Sequence, residues 1–414
     1  MRKVKLEDLC SDIIDCPHTT PKWQTRGIPV IRNFNLHNRY INLDGSDISY
    51  VDEATYHQRI KRATPEPGDI VISREAPMGV VGLIPEGMKC CMGQRLVLLK
   101  VNRIKCNPVY LLHALTSEYV QTQIRRIDTR GSIVSNIDLD TLRELEIPII
   151  DGQEEAADLL DSISRKIETN TKVIAELESL ARTIYDYWFT QFDFPDEHGN
   201  PYRSSGGTMV YSELLNCNIP SGWIIKPLGN SAQQYTEGIT PNHYPDKTFE
   251  YYSIPDFDAA GVPSHMLGKD IQSGKYKITS KDLLLSKLNP QFPRLWDPFC
   301  NSSDSICSTE FIVLRPLIDF DKPWFWSVLG SKKFQAFMIS NAVSSTGSRS
   351  RIHPETVLAY LIPLPPEPIR KQYANKIDPI LLSMKKAKQE TILLTSLRNW
   401  LLPLLMNGQA IIDK

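Results

Sequence analysis

Residues 153–188 read QEEAADLLDSISRKIETNTKVIAELESLARTIYDYW, and residues 373–401 read YANKIDPILLSMKKAKQETILLTSLRNWL. In the first stretch Ala156, Leu160, Ile163, Ile167, Asn170, Ile174, Leu177, Ala181, Ile184 and Trp188 fall at alternating spacings of four and three. In the second, Tyr373, Ile377, Ile380, Met384, Ala387, Thr391, Leu394, Arg398 and Leu401 keep the same rhythm, in phase at an offset of 217. A repeat averaging 3.5 residues is the seam of a coiled coil. A helix of about 36 residues would extend ~54 Å at 1.5 Å per residue. Residues 151–190 carry a net charge of −5 and residues 367–414 one of +4. That contrast favours pairing of the two helices with each other over self-association. Pro379 is predicted to kink the second helix, and Arg398 interrupts its seam. Two separate helices, each packed on its own domain, remain the alternative.

Working outward, what precedes each helix also recurs, with a period near 215 residues. The run Pro67-Gly68-Asp69-Ile70-Val71-Ile72-Ser73-Arg74 has a counterpart in Lys281-Asp282-Leu283-Leu284-Leu285-Ser286-Lys287. Gln94–Leu99 is echoed by Glu310–Arg315, and Ser117–Gln121 by Ser331–Gln335. Then come Gly131-Ser132 and Gly347-Ser348, Ile137 and Ile352, and the pairs Ile147-Pro148 and Ile362-Pro363. Six matches in one order identify a duplicated unit: strand-rich segment, Gly-Ser loop, Ile-Pro, long helix. Between the copies lies a stretch rich in turn formers, Phe192-Asp-Phe-Pro-Asp-Glu-His-Gly-Asn-Pro-Tyr-Arg-Ser-Ser-Gly-Gly207, expected to lack regular structure.

At 414 residues the chain has room for two or three domains, and its 41% hydrophobic and 23% charged content is that of a globular protein. No apolar run approaches the ~20 residues a membrane span needs; Trp400–Met406 is already broken by Pro403. The first ten residues, MRKVKLEDLC, do not read as a signal peptide. Cysteines at 10, 16, 90, 91, 106, 217, 300 and 307 show no C-x-x-C spacing, so they are expected to be reduced and mostly buried, without a structural metal. The net charge of −1 gives no nucleic-acid footprint by itself. Two similar globular domains tied at a fixed distance by paired helices nevertheless suit a long ligand read at two places. Duplex DNA, whose faces recur about every 34–36 Å, is such a ligand.

At the linker the chain resembles the specificity (S) subunit of a type I DNA restriction–modification enzyme. The residues that carry the resemblance are Trp188-Phe189, Phe192-Asp193-Phe194-Pro195, Gly199-Asn200-Pro201-Tyr202 and Ser205-Gly206-Gly207 through Met209. The entry Ile219-Pro220-Ser221-Gly222-Trp223, the Ile-Pro boundaries and the closing Leu402-Pro403-Leu404-Leu405-Met406-Asn407-Gly408 also fit, so the resemblance covers nearly the whole chain. It implies an α+β fold: two tandem-repeat α/β target-recognition domains, separated by two long helices that form an antiparallel coiled coil, in a pseudo-twofold arrangement. The expected division is a first target-recognition domain at 1–150, a spacer helix at 151–190 and a linker at 191–222. A second recognition domain at 223–366, a second helix at 367–406 and a tail at 407–414 complete it.

The same resemblance implies a non-catalytic subunit that reads a bipartite site in double-stranded DNA. Two methylation subunits would dock on the helices, with restriction subunits outside them, for adenine N6 methylation or cleavage. No cofactor would be bound by this chain; S-adenosylmethionine, and ATP with Mg, would be held by partner subunits. The setting implied is the cytoplasm of a bacterium or archaeon, with no membrane partner. Expected partner-binding residues are Ile163, Ile167, Ile174, Leu177, Met384, Leu394 and Leu401.

The residues themselves offer little catalytic chemistry. Asn289-Pro290-Gln291-Phe292 approximates the Asn-Pro-Pro-Phe/Tyr motif of amino-methyltransferases, but it lacks the second proline, and no Gly-rich cofactor loop stands upstream. Asp246 and Glu250 have Tyr252 where a nuclease would need lysine. Candidate DNA contacts are polar and basic loop residues. In the first domain these are Lys22, Arg26, Arg32, Asn33, Arg74, Arg126, Arg130 and Ser132. In the second they are Tyr235, His243, Tyr244, Tyr252, Lys287, Asn289, Arg294, Ser348, Arg349 and Arg351. Other readings stay open at this point: a coiled-coil adaptor, a stand-alone DNA-binding regulator, or the specificity subunit of a related restriction system with other catalytic partners.

Overall fold

The computed structural model describes residues 2–410 and 412, apart from 38, 44–47, 76, 129–135, 260 and 347–348. The chain forms two units, Met1–Thr169 with Leu393–Lys414, and Asn170–Ile392. Each is α+β, and each contains the start of one long helix and the end of the other, or the reverse.

In the first unit a four-stranded antiparallel sheet has the spatial order Cys10–Asp15, Leu96–Val101, Ile70–Ser73, Val81–Leu83. Ile70, Val71 and Ile72 are all buried, as expected of an apolar β-branched run covered on both faces. Its register sets Leu98 opposite Val71 and Leu99 opposite Ile70. In the second unit the sheet repeats with Ala232–Gln234, Phe311–Pro316, Leu283–Ser286 and Leu295–Trp296, and sets Leu284 opposite Val313. A second sheet, three-stranded in the first unit and five-stranded in the second, accompanies each and contains a parallel pair: Ile28–Ile31 with Cys91–Met92, and Thr248–Tyr252 with Ser305–Ser308.

The duplication extends to individual bonds. The Asp69 carboxylate accepts the Glu66 N–H at 2.7 Å and pairs with Lys100 at 2.9 Å. Asp282 accepts the Thr279 N–H at 2.7 Å and pairs with Arg315 at 2.6 Å. Arg74 N–H donates to the Arg95 carbonyl and Ile137 N–H to the Arg74 carbonyl; Lys287, Glu310 and Ile352 make the same two bonds. Helices Pro108–Leu115 and Glu118–Asp128 recur as Lys322–Leu329 and Lys332–Ser340. The Ile-Pro segments Glu146–Ile149 and Leu361–Leu364 each close a two-stranded pair, with Arg2–Lys5 and Ile224–Pro227 respectively.

The first long helix spans Gln153–Tyr185 and the second Glu367–Met406. In the first unit Ala156, Ala157 and Leu160 share a core with Leu402, Leu405 and Met406. In the second, Ala181 shares one with Tyr373, Ile377, Leu381 and Met384. The start of one helix meets the end of the other in each unit, which is antiparallel pairing. At mid-seam in the second unit Asn170, 4% exposed, donates from Nδ2 to Glu390 Oε2 at 2.8 Å. A single polar residue in an apolar seam fixes register at some cost in stability. The second helix continues through Pro379 as one element, although proline lacks the N–H of a helical hydrogen bond.

The stretch 192–207 holds turns and an isolated bridge between Pro195 and Pro201, without a helix or a strand, as expected, and a hairpin follows it. Met209–Ser212 and Cys217–Pro220 form an antiparallel hairpin. Phe192, Phe194 and Trp223 stack into the second core, with Phe192 and Trp223 ring centroids 5.4 Å apart. Turn formers marked the bends correctly, but the apolar residues between them are anchors.

Candidate nucleic-acid interface

Three of the basic candidates are held by carboxylates. Arg74 Nη1 donates to both oxygens of Asp15 at 2.8 Å while Nε donates to the Ile137 carbonyl at 2.9 Å, and its side chain is 13% exposed. Arg294 forks onto Asp258 at 2.6 and 2.7 Å. Arg351 pairs with Glu310 at 2.9 Å, and Arg315, which sequence reasoning did not select, forks onto Asp282. These guanidiniums brace strands to loops. As base readers Arg74 and Arg294 are corrected: their donors are already used inside the fold.

Tyr252 is a further correction. It is fully buried; its hydroxyl donates to Glu250 Oε1 at 3.0 Å and accepts the Phe299 and Cys300 N–H groups at 3.0 Å. Burial pushes that phenol well above the ordinary tyrosine range. Asn289, with φ of 49°, accepts the Ser350 N–H on Oδ1 at 3.0 Å and donates its own N–H to the Ser350 carbonyl. It is a loop clamp, neither a methyltransferase asparagine nor a free base reader.

The remaining candidates lie at the surface. Lys22, Arg26 and Arg126 are exposed, as are His243 and Tyr244; Lys287 is half-buried. Tyr235 donates to Glu237 at 2.6 Å, with the Arg315 guanidinium 4.0 Å from its ring centroid. Arg130, Ser132 and Ser348 lie outside the described residues, as do the Gly131 and Gly347 loops and the side chain of Arg349.

One grouping stands out in the first unit. A groove of about 470 Å³ is lined by Trp23, Arg32, Asn33, Phe34, Gln94 and Arg95 among others. The Arg32 guanidinium carbon lies 5.3 Å from the Trp23 ring centroid and 4.7 Å from that of Phe34. Asn33 Nδ2 donates to the Glu75 carbonyl at 2.6 Å, and its Oδ1 has no hydrogen-bond partner among the described residues. Arg95 ion-pairs with Glu75 at 3.0 Å. Sequence reasoning found Arg32 and Asn33 but treated neither Trp23 nor Phe34 as part of a site.

The seven residues expected to bind partners need a correction as well. Ile163 and Met384 are buried, and Ile174, Leu177, Met384 and Leu401 pack into the two cores; Ile167 and Leu394 are half-buried. The heptad seam is consumed by the helices themselves. The missed signal is a second apolar stripe beside the seam, one residue N-terminal to its positions. In the first unit Leu393, Leu397 and Trp400, at spacings of four and three, are 70%, 42% and 62% exposed. In the second unit Val173, Leu180 and Leu382 are exposed too.

Among the described residues no group of three or more His, Cys, Asp or Glu is placed to hold a metal ion. No helix among them is long and apolar enough to cross a membrane. All eight cysteines are free, six of them buried.

Residues 1–179 match the family model of the type I restriction modification DNA specificity domain. Over 369 residues the chain is 23% identical to the type I restriction enzyme MjaIX specificity subunit of Methanocaldococcus jannaschii, covering 84% of this chain and 78% of that one. The chain is thus similar to type I specificity subunits over most of its length. A putative MjaX specificity subunit of the same organism is 27% identical over 214 residues, 49% of this chain and 46% of that one. The fold agrees with the crystal structure of the type I S subunit from M. genitalium, at a TM-score of 0.56 and 16% identity over 97% of this chain and 94% of that one.

Proposed function

We propose that this chain is a specificity subunit that reads a two-part site in double-stranded DNA, one half with each sheet-rich domain, and positions methylation and restriction subunits on it. The observation that carries the reading is the duplication. One hydrogen-bonded frame, from Asp69 and Asp282 to Ile137 and Ile352, occurs twice. The side chains at equivalent positions of it differ: Arg74 against Lys287, Arg95 against Glu310. A conserved frame with divergent surfaces suits two readers of two sequences. The helices act as the ruler between half-sites, since 33 residues of helix extend about 50 Å.

The exposed stripe Leu393, Leu397 and Trp400 is the docking face for a methylation subunit. Apolar residues at helical spacing, left in water, mark a protein interface. In this reading S-adenosylmethionine, and ATP with Mg, are held by the partners. The near-neutral charge leaves much of the electrostatic attraction to DNA to those partners as well, so the isolated chain binds DNA weakly.

Exchanging residues 1–150 for the corresponding domain of a relative with a different target tests the assignment. Methylation mapping of the chimera is expected to show one half-site changed and the other kept. A motif changed in both halves, or in neither, would contradict a domain-by-domain reading.

A further inference from the structure

We infer that Arg32 is the base-reading arginine of the first globular domain and that the base it takes is guanine. The inference rests on the DNA-reading function proposed above and names a determinant within it.

Among the candidates, Arg32 combines a fixed position with an uncommitted fork. Its backbone N–H donates to Asn35 Oδ1 at 2.9 Å, and Nη1 donates to Ser49 Oγ at 3.2 Å. No carboxylate pairs with it among the described residues, whereas Arg74, Arg294, Arg315 and Arg351 each meet one. Trp23 and Phe34, 40% and 46% exposed, pack against the guanidinium carbon. A planar guanidinium stacked on rings covers its faces and leaves its N–H edge available. That edge matches O6 and N7 of guanine in the major groove, the commonest specific contact of arginine with a base. A phosphate contact asks for charge alone, which the exposed Lys22 and Arg26 supply without such fixing.

The test uses the specificity subunit assembled with its methylation subunits, and reads methylated adenines genome-wide by single-molecule sequencing. Wild type is compared with Arg32→Ala and Arg32→Lys. The expected result for Arg32→Ala is loss of guanine preference at one position of one half-site, with the other half-site unchanged. Methylation of the original site falls by roughly ten- to hundredfold. Arg32→Lys keeps the charge but loses the fork, and is expected to relax the same position; it stands in if the alanine variant fails to fold. An unchanged motif in the Arg32 variants, or a uniform fall at every site with base preference intact, would overturn the inference and leave the DNA-reading function standing. A wild-type complex that marks no two-part motif would overturn that function, and this assignment with it.

Discussion

His113 lies 1% exposed in the first core, and its Nδ1 has no acceptor among the described residues. Burial, with the Arg39 and Arg398 charges nearby, pushes its pKa down to about 3. The unfolded chain would take up a proton near pH 6.5 that the folded chain refuses. A folded pKa below the unfolded one means stability present above about pH 6.5 and lost as pH falls. Between pH 7 and pH 5 the loss from this group is about 2 kcal/mol. Urea unfolding at both pH values is expected to show that difference, and His113→Leu to remove most of it. Arg398 is a second residue at odds with its place. Its Nε is buried without an acceptor, and burial lowers its pKa. Arg398→Leu, which restores the heptad seam and removes an uncompensated charge, is expected to be neutral or to stabilise by about 1 kcal/mol. A thermal melt checks this; a loss of several kcal/mol would show that the charge has a partner in solution. At this scale the sequence was least legible. Tyr252 read as a surface aromatic because a single sequence does not say which face of its strand looks inward, and Thr248–Tyr252 has buried positions on both faces. Arg74 read as a free reader because its partner Asp15 is 59 residues away, joined only by the neighbouring strands.

The long helices were legible because heptad spacing is a local signal. Their phase offset of 217 survives as contact: Asn170 Nδ2 lies 3.5 Å from the Ala387 carbonyl. What the seam could not reveal was its own occupancy, since residues at seam positions serve either the partner helix or another protein. The two stripes should separate cleanly under substitution. Ile377→Ala, in the buried seam, is expected to cost about 2–5 kcal/mol of stability. Leu397→Asp with Trp400→Glu, on the exposed face, is expected to change stability by about 1 kcal/mol or less yet abolish co-purification with methylation subunits. Retained co-purification would place the docking face elsewhere. The linker illustrates the opposite lesson. Its Gly, Pro and Asn residues marked bends, but Phe192, Phe194 and Trp223 find their stacking partners only once the second domain is folded.

At the scale of the whole molecule the duplication was the most legible feature, because six short matches in one order survive divergence that erases overall identity. Which bases each copy reads was not legible, since that depends on loops whose neighbours come from distant segments. The ruler reading makes a geometric prediction. Removing seven residues from each long helix shortens both by about 10 Å, close to three base pairs of DNA. An active variant is therefore expected to mark a site whose spacer is about three base pairs shorter; an unchanged spacer would show that the helices do not set the gap. The central claim is that this chain alone specifies one split DNA target, and mapping N6-methylated adenines across the host genome with the chain present and deleted tests it most directly. The account predicts that one two-part motif with an unspecified spacer disappears on deletion while every other motif persists. Loss of a continuous motif, or of none while the methylation subunits remain present and active, would contradict it.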